Sequence, residues 1–164
     1  LLNDPEMAVE AHRIGVGGTI EGALGGKSGL PGLDPYHGRF SVEALSDGHF
    51  PFTGAMYAGN VAELGSTAVL RILEDTADVR VIVGSKRCQC LDRAIFTHIG
   101  IDPAKERIVG VKSTVHFRAD FEGIAGHILN AEAPGANPCR LDTIPYTRLR
   151  PGVRLGPGGK PFKG

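Results

Sequence analysis

Hydrophobic and polar residues follow one another along the chain with spacings that predict a helix first and strands afterwards. The segment "PEMAVEAHRI" at 5–14 follows Asn-Asp at 3–4 and precedes Gly15. A capping residue before a helix, a proline in its first turn and a glycine after its end are typical boundary signals. We therefore expect a helix there. Alternating apolar residues in "RFSVEAL" at 39–45 and the β-branched run in "DVRVIVGSK" at 78–86 predict strands.

Further strands are expected on either side of these two. They are predicted at residues 19–24, 49–52, 55–64, 67–74 and 107–113. Short polar turns such as "SDG" at 46–48 favour antiparallel pairing of neighbours. The expected fold class is α/β, with a mixed β-sheet and flanking helices. The middle section, 39–73, is expected to be antiparallel, and 79–129 to form an α/β unit.

Two more helices are predicted in the second half of the chain. "LDRAIFTHIG" at 91–100 predicts a short helix, with Asp92 as its cap and Gly100 at its end. The segment 114–129 predicts the longest helix, because four of its apolar residues recur with a period of 3.6 and share one face. They are Phe117, Phe121, Ile124 and Ile128.

The 164 residues suffice for one domain with a sizeable core. We expect a single domain at 1–150, followed by a basic tail at 151–164 that is rich in glycine and proline and extended or disordered. The sequence opens with "LLNDPEM", without an initiating methionine and with a helix signal almost at once. This start suggests a fragment cut near a domain boundary.

Charge and cysteine content narrow the classes of partner and compartment. Eighteen basic and eighteen acidic residues cancel, which argues against nucleic acid or an anionic membrane as partner. Three cysteines, Cys88, Cys90 and Cys139, form no disulfide framework, so a cytoplasmic protein with reduced thiols is expected. Cys-x-Cys with a distant third cysteine could bind a metal, but plain buried thiols are the preferred interpretation.

A polar cluster lies where the last predicted strand meets the longest predicted helix. Lys112, Ser113, His116 and Arg118 fall within seven positions of "VGVKSTVHFRADF". The free N–H groups of a first helical turn attract anions, and arginine can bind a carboxylate through two parallel hydrogen bonds. These four residues are therefore candidates for binding a substrate or another anion. In the competing interpretation, Ser113 or Thr114 only caps the helix and the cations are solvated.

A metal site on the same helix is a second alternative. His116, Asp120 and His127 would share one helical face. Two turns separate Asp120 from His127, which makes joint coordination of one ion difficult. An ordinary polar helix face is the preferred interpretation, and no metal ligand or catalytic residue is predicted in this chain.

Several long motifs resemble a known family. They are "AHRIGVGGTIEGALGGK", "LSDGHF", "GSTAVLRI", "LDRAIFTHIGIDPAKERIVGVKSTVHFRADFEGIA", and "APG" followed by "IPYTRLRP". In this order they resemble the C-terminal domain of the microcystin-degradation (MlrC-like) family, which is classed as zinc metallopeptidases. The resemblance covers about residues 4–151. The block from "GIDP" to "VKSTVHFRA" is its most specific part and contains all four candidate site residues.

The resemblance implies what the chain does and what it lacks. The family's zinc ligands lie in a larger N-terminal domain, so zinc is expected in the full-length protein and none in this chain, which alone would be inactive. The implied function is an accessory domain of a peptidase or amidohydrolase, completing the inter-domain cleft and binding a carboxylate of a small peptide. Expected partners are that N-terminal domain, the peptide and a possible second copy of the chain. The alternative is a structural or oligomerisation domain without a ligand.

Overall fold

A computed structural model of the chain describes nearly all of its residues, which form two compact units. The described residues are 1–74, 76, 78–113, 115–133, 135 and 140–163. The larger unit comprises 1–27 and 35–128, and the smaller comprises 28–34 and 129–164. Within the smaller unit, Arg154 and Pro161 form an isolated antiparallel bridge. The boundary predicted at residue 150 stays a prediction.

The larger unit is built on a five-stranded mixed sheet and a separate two-stranded ribbon. The strands are β1 (Leu2–Asn3), β2 (Thr19–Leu24), β3 (Tyr36–Ser46), β4 (His49–Pro51), β5 (Val61–Glu63), β6 (Thr67–Ile72) and β7 (Arg80–Gly84). The sheet has the order β1–β7–β6–β3–β2, and β4 pairs with β5 in the ribbon. Only β1 and β7 are parallel; the other pairs are antiparallel. The prediction of a mixed sheet with an antiparallel middle is thus confirmed.

The first helix, α1 (Pro5–Ile14), begins and ends where its sequence signals predict. Asp4 Oδ1 accepts the backbone N–H of Met7 at 3.2 Å, which satisfies one of the free donors of the first turn. At the other end, the N–H of Gly15 donates to the carbonyl of Ala11 at 2.9 Å. Gly15 has a φ of 88° there, a conformation that glycine adopts without strain.

Strands β6 and β7 bury both of their faces. Successive side chains of a strand point to opposite faces, and here Ala68 and Leu70 join one apolar cluster while Val69 joins another. Val83 and Ile82 of β7 divide in the same way. The first cluster lies between the sheet and α1. Its buried members are Met7, Ala8, Ala11, Ile20, Leu24, Phe40, Val42, Ala68, Leu70 and Val83.

The second cluster, on the opposite face, is covered mainly by loops and very short helices. Two of these helices are α2 (Ala94–Thr97) and α3 (Arg118–Phe121). The buried members of the second cluster are Phe50, Phe52, Ala62, Leu64, Val69, Ile82, Cys90, Ala94, Ile95, Phe96, Ile99, Ile101, Phe117 and Phe121. The candidate site residues belong to this cover.

The prediction of a strand at 107–113 is wrong. The α/β unit predicted at 79–129 therefore lacks its second strand. Residues 107–113 have no regular secondary structure. Val109 and Val111 pack against the second cluster. The alternation of apolar residues in this segment therefore indicates burial of one side of an irregular chain, and not a strand. Ile108 is 90% exposed because no neighbouring strand or helix covers it. Gly110, at the centre of the segment, further weakens strand formation.

The helix predicted at 114–129 is also largely wrong, since among the described residues of this segment only the single turn of α3 is α-helical. Gly123 and Gly126 interrupt the segment, and each glycine costs a helix interior about 1 kcal/mol relative to alanine. The predicted apolar face is nevertheless right, because Phe117 and Phe121 are buried in the second cluster. Thr114, one of the two proposed caps, lies outside the described residues.

Two strand predictions between these regions need smaller corrections. Of the strand predicted at 55–64, only β5 exists, and the residues just before it form turns. β4 pairs with β5 rather than returning along β3.

No helix in the described part of the chain is long and apolar enough to cross a membrane.

Asp4 provides a first test of this fold, because its buried carboxylate joins α1 to the turn at 25–27. Besides capping α1, it accepts the N–H of Gly25 at 2.8 Å and contacts the Nζ of Lys27 at 2.8 Å. Partial burial alone lowers the pKa of Lys27, but hydrogen bonds from Lys27 to Asp4 and to Glu6 outweigh this effect, so the pKa of Lys27 is raised.

We expect Asp4→Ala to lower the free energy of unfolding by about 2–4 kcal/mol, because it removes the cap and leaves a buried N–H without an acceptor. Urea denaturation measures this loss. Glu10→Ala is the matched control, since Glu10 pairs with Arg13 on the solvent side of the same helix and should change stability little. Equal losses for both variants would contradict the role of Asp4.

His98 provides a second test, through pH. Its ring stacks on Phe50 with centroids 3.9 Å apart, and its Nδ1–H donates to the carbonyl of Ala94 at 2.9 Å. The other ring nitrogen, Nε2, is buried without a hydrogen-bond partner among the described residues. Burial lowers the pKa of His98, and hydrogen bonds to backbone carbonyls offset this only in part.

Since the folded-state pKa lies below the unfolded value of about 6.5, the neutral ring contributes stability that is complete above that pH. This contribution is lost as the pH falls toward the folded pKa. We expect stability to decrease between pH 7 and pH 5, and His98→Phe to flatten the decrease. Urea denaturation across this range measures it, with His37→Phe, at an exposed position on β3, as control. An unchanged slope in His98→Phe would refute the assignment.

Candidate functional site

The four candidate residues lie on the irregular segment that leads into α3, at the surface of the larger unit. Lys112 and His116 are exposed, whereas Ser113 and Arg118 are partly buried. The segment is held in place by Phe117, which is buried in the second cluster directly between His116 and Arg118. The polar side chains therefore project from a fixed apolar support.

Ser113 and His116 are brought together by a residue that the sequence did not single out. The side-chain amide of Gln89 donates through Nε2 to Ser113 Oγ at 3.0 Å. Its Oε1 lies 3.3 Å from His116 Nδ1. Because an amide oxygen only accepts hydrogen bonds, the imidazole must donate through Nδ1–H. Gln89 thus links the two ends of the candidate segment.

Arg118 and Lys112 are arranged differently. The Arg118 guanidinium lies over the ring of Phe117, 5.4 Å from its centroid, and its Nη1 is 3.5 Å from Glu122 Oε1. This ion pair joins residues one helical turn apart and is partly solvated, so it holds the guanidinium only weakly. The Lys112 ammonium has no ion-pair partner within 4.0 Å among the described residues.

Two aspartates anchor the site segment to the rest of the larger unit. Asp92 is fully buried, and its carboxylate accepts the N–H groups of Thr53 at 3.0 Å, Gly54 at 2.7 Å and Ala94 at 2.8 Å. Asp92, predicted to cap the α2 region, lies one residue before the N-cap position, which Arg93 occupies, but its carboxylate still accepts the first N–H of α2. Its bonds to residues 53 and 54 were not foreseen, because nothing in the sequence pairs positions so far apart.

Asp120 completes this anchor from within α3. Its Oδ2 accepts the backbone N–H of Arg93 at 2.6 Å, and its Oδ1 lies 3.2 Å from the Arg93 Nε. Asp120 is therefore bound to the turn before α2, and the interpretation of Asp120 as part of a metal stripe finds no geometric support. His127, the other end of that stripe, is exposed.

The cysteines also suit a structural role. Cys90 is buried, and burial raises the pKa of its thiol to about 11, so little reactive thiolate forms. Burial likewise raises the pKa of Cys88. Cys139 lies outside the described residues. Among the residues that are described, no group of three or more histidine, cysteine or acidic side chains could hold a metal ion, so these residues do not fit the zinc site of a peptidase.

Comparison with known proteins supports the resemblance seen in the motifs. The model of the family described as "MlrC C-terminus" matches residues 1–148. The chain belongs to this family. Among curated proteins, no match is found.

A solved structure shares the fold of this MlrC C-terminus domain. It is the crystal structure of a protein from Mesorhizobium sp. BNC1 that is named a putative metallopeptidase, with 27% sequence identity and a TM-score of 0.76. The match covers 91% of this chain but only 29% of the Mesorhizobium chain. The present chain therefore corresponds to less than a third of that protein's length.

The contact between Gly54 and the two aspartates yields a test of the anchor. A Cβ atom on Gly54 would lie 3.0 Å from Asp120 Cγ and 3.1 Å from an oxygen of Asp92, so both carboxylates would have to move. We expect Gly54→Ala to cost about 1–3 kcal/mol of stability, the usual range for overpacking, and to weaken the packing of α3. Urea denaturation and amide exchange of Phe121 measure the two effects.

Gly123→Ala is the matched control for this substitution. A Cβ atom at Gly123 meets nothing within 4 Å, and the residue lies just after Glu122, the C-cap of α3. We expect it to leave stability unchanged or slightly raised, since alanine reduces the freedom of the unfolded chain. Should Gly54→Ala behave like Gly123→Ala, the two aspartates do not anchor the segment as described.

Proposed function

We propose that this MlrC C-terminus domain is the accessory domain of a metallopeptidase or amidohydrolase, completing the cleft between it and a metal-binding N-terminal domain. In this proposal the exposed segment at 112–118 faces the cleft and binds a carboxylate of a small peptide. Zinc would be held by the N-terminal domain, because the described residues of this chain do not fit a metal site.

One observation carries the proposal: two cationic side chains that can donate to an anion, those of Lys112 and Arg118, lie on an anchored surface segment that also presents the imidazole of His116. The segment is supported by buried Phe117 and by Asp120. The Arg118 guanidinium, which lies over the Phe117 ring, binds a carboxylate at a lower cost in conformational entropy than a fully mobile side chain does. Membership of the MlrC C-terminus family and the greater length of the Mesorhizobium metallopeptidase support a partner domain.

Each donor would contribute in its own way. The guanidinium of Arg118 can bind a carboxylate through two parallel hydrogen bonds, which fixes direction as well as distance. The ammonium of Lys112 adds a compact, mobile charge. Binding one end of the peptide in this manner would orient the scissile bond in the cleft, and orientation lowers the barrier to reaction.

A structural role is the second candidate, and the contacts of Arg118 favour it. The guanidinium already covers the Phe117 ring and pairs with Glu122. In that case the cation would brace α3 for packing against a second domain or a second copy of the chain, with no ligand of its own. Removal of Arg118 would then resemble removal of Glu122.

The two roles are separated by comparing variants in the full-length protein that carries this domain. We expect Lys112→Ala combined with Arg118→Ala to raise the KM for a small peptide about 10- to 100-fold, since charged hydrogen bonds contribute about 1.5–3 kcal/mol. Steady-state kinetics and urea denaturation measure binding and stability in parallel.

Glu122→Ala is the matched control, because it removes the partner of Arg118 and leaves the cation. A ligand-binding Arg118 predicts a KM that is unchanged or lower in Glu122→Ala. Loss of stability in both Arg118→Ala and Glu122→Ala, with unaltered KM, would refute carboxylate binding and support the structural role.

A further inference from the structure

The side-chain amide of Gln89 lies between the hydroxyl of Ser113 and the imidazole of His116. Its nitrogen donates to Ser113 Oγ at 3.0 Å, and its oxygen faces the imidazole at 3.3 Å. An oxygen at this place requires a proton on Nδ1. In the neutral ring, Nε2 is then the acceptor, because only one of the two nitrogens carries hydrogen.

We propose that Gln89 is a positioning residue that fixes His116 as the Nδ1–H tautomer and presents Nε2 as a hydrogen-bond acceptor to the ligand. The proposal rests on the function proposed above and refines its substrate class. Lys112 and Arg118 are permanent donors suited to a carboxylate, whereas neutral His116 would accept from an amide N–H or an ammonium group. The site would therefore offer one acceptor, His116 Nε2, beside two cations, and this combination suits a ligand that carries both an N–H group and a carboxylate, as a peptide does.

The same arrangement determines what protonation changes. When the ring gains a proton, Nδ1–H still donates to the oxygen of Gln89, so only Nε2 changes, from acceptor to donor. The ring need not turn. With Nε2 protonated, His116 would favour a ligand oxygen over a ligand N–H.

The position of Gln89 makes this role testable without damage to the core. Gln89 is exposed, while its neighbour Cys90 is buried in the second cluster. Substitutions at Gln89 should therefore leave the free energy of unfolding unchanged within error. An effect on the tautomer of His116 without an effect on stability is something that a purely structural residue would not produce.

The closing experiment reads the tautomer directly, on the unliganded chain. Long-range proton–nitrogen NMR spectra, recorded with the imidazole of His116 in its neutral form, distinguish protonated from unprotonated ring nitrogens, and His116→Gln assigns the signals. We expect Nδ1 protonated and Nε2 unprotonated in the wild type. In Gln89→Leu, the ring should revert to the Nε2–H form that histidine prefers in water. Gln89→Glu, which keeps an acceptor oxygen, should restore the Nδ1–H form.

An Nε2–H tautomer in the wild type, or the same tautomer in wild type and Gln89→Leu, would overturn the positioning role.

In the full-length protein, Gln89→Leu should raise the KM for a small peptide about three- to tenfold, which corresponds to the loss of one neutral hydrogen bond. Gln89→Glu should reverse part of this increase. An unchanged KM overturns the acceptor role of His116. The NMR result involves no ligand, so failure of the tautomer assignment and failure of carboxylate binding by Lys112 and Arg118 are distinguishable.

Discussion

The burial of strands β6 and β7 on both faces is the constraint on which the rest of the larger unit depends. Leu70 and Val69 are neighbours in sequence, yet each is almost fully buried in a different apolar cluster. Exposing either face would forfeit about 25 cal/mol for each Å² of apolar surface. Each face therefore needs a cover, and the chain supplies α1 for one and the loops with α2 and α3 for the other.

The two covers differ in how their backbone polar groups are satisfied, and buried carboxylates compensate for the difference. A ten-residue helix forms most of its hydrogen bonds internally, so one aspartate at its start suffices. The opposite cover has helices of only four residues, which leaves more N–H groups to be paired. Asp92 accepts three of them and Asp120 a fourth. Asp4 and Asp92 are the charged residues that the described part of the chain buries.

This difference explains which parts of the fold could be predicted from the sequence. Local signals define α1 completely, because the cap, proline and glycine lie within or next to it. The antiparallel strands follow from alternation and turn residues. The cover that carries 107–129 depends instead on pairings between distant residues, such as Asp92 with Gly54, that no local pattern reveals. The apolar spacing there correctly indicates which side chains are buried, but not the backbone conformation that buries them.

The candidate site could be predicted from the sequence even though the backbone around it could not. Its polar side chains are concentrated beside apolar phenylalanines, and this pattern does not depend on the backbone conformation. Gln89 could not be predicted as a site residue, because no pattern of the residues around it in the sequence distinguishes it from other polar surface residues. Only the fold brings it to Ser113 and His116. In the same way, the sequence could not show that Glu122 shares the guanidinium of Arg118.

The pairing of Arg118 with Glu122 is compatible with a binding role, on energetic grounds. A partly solvated ion pair between residues one turn apart contributes about 0–1 kcal/mol, whereas two parallel bonds from arginine to a ligand carboxylate are stronger and better directed. An incoming carboxylate can therefore displace Glu122 at small cost, and until it arrives Glu122 and the Phe117 ring keep the guanidinium near its place. A weak internal partner thus reduces the conformational freedom that binding would otherwise have to remove.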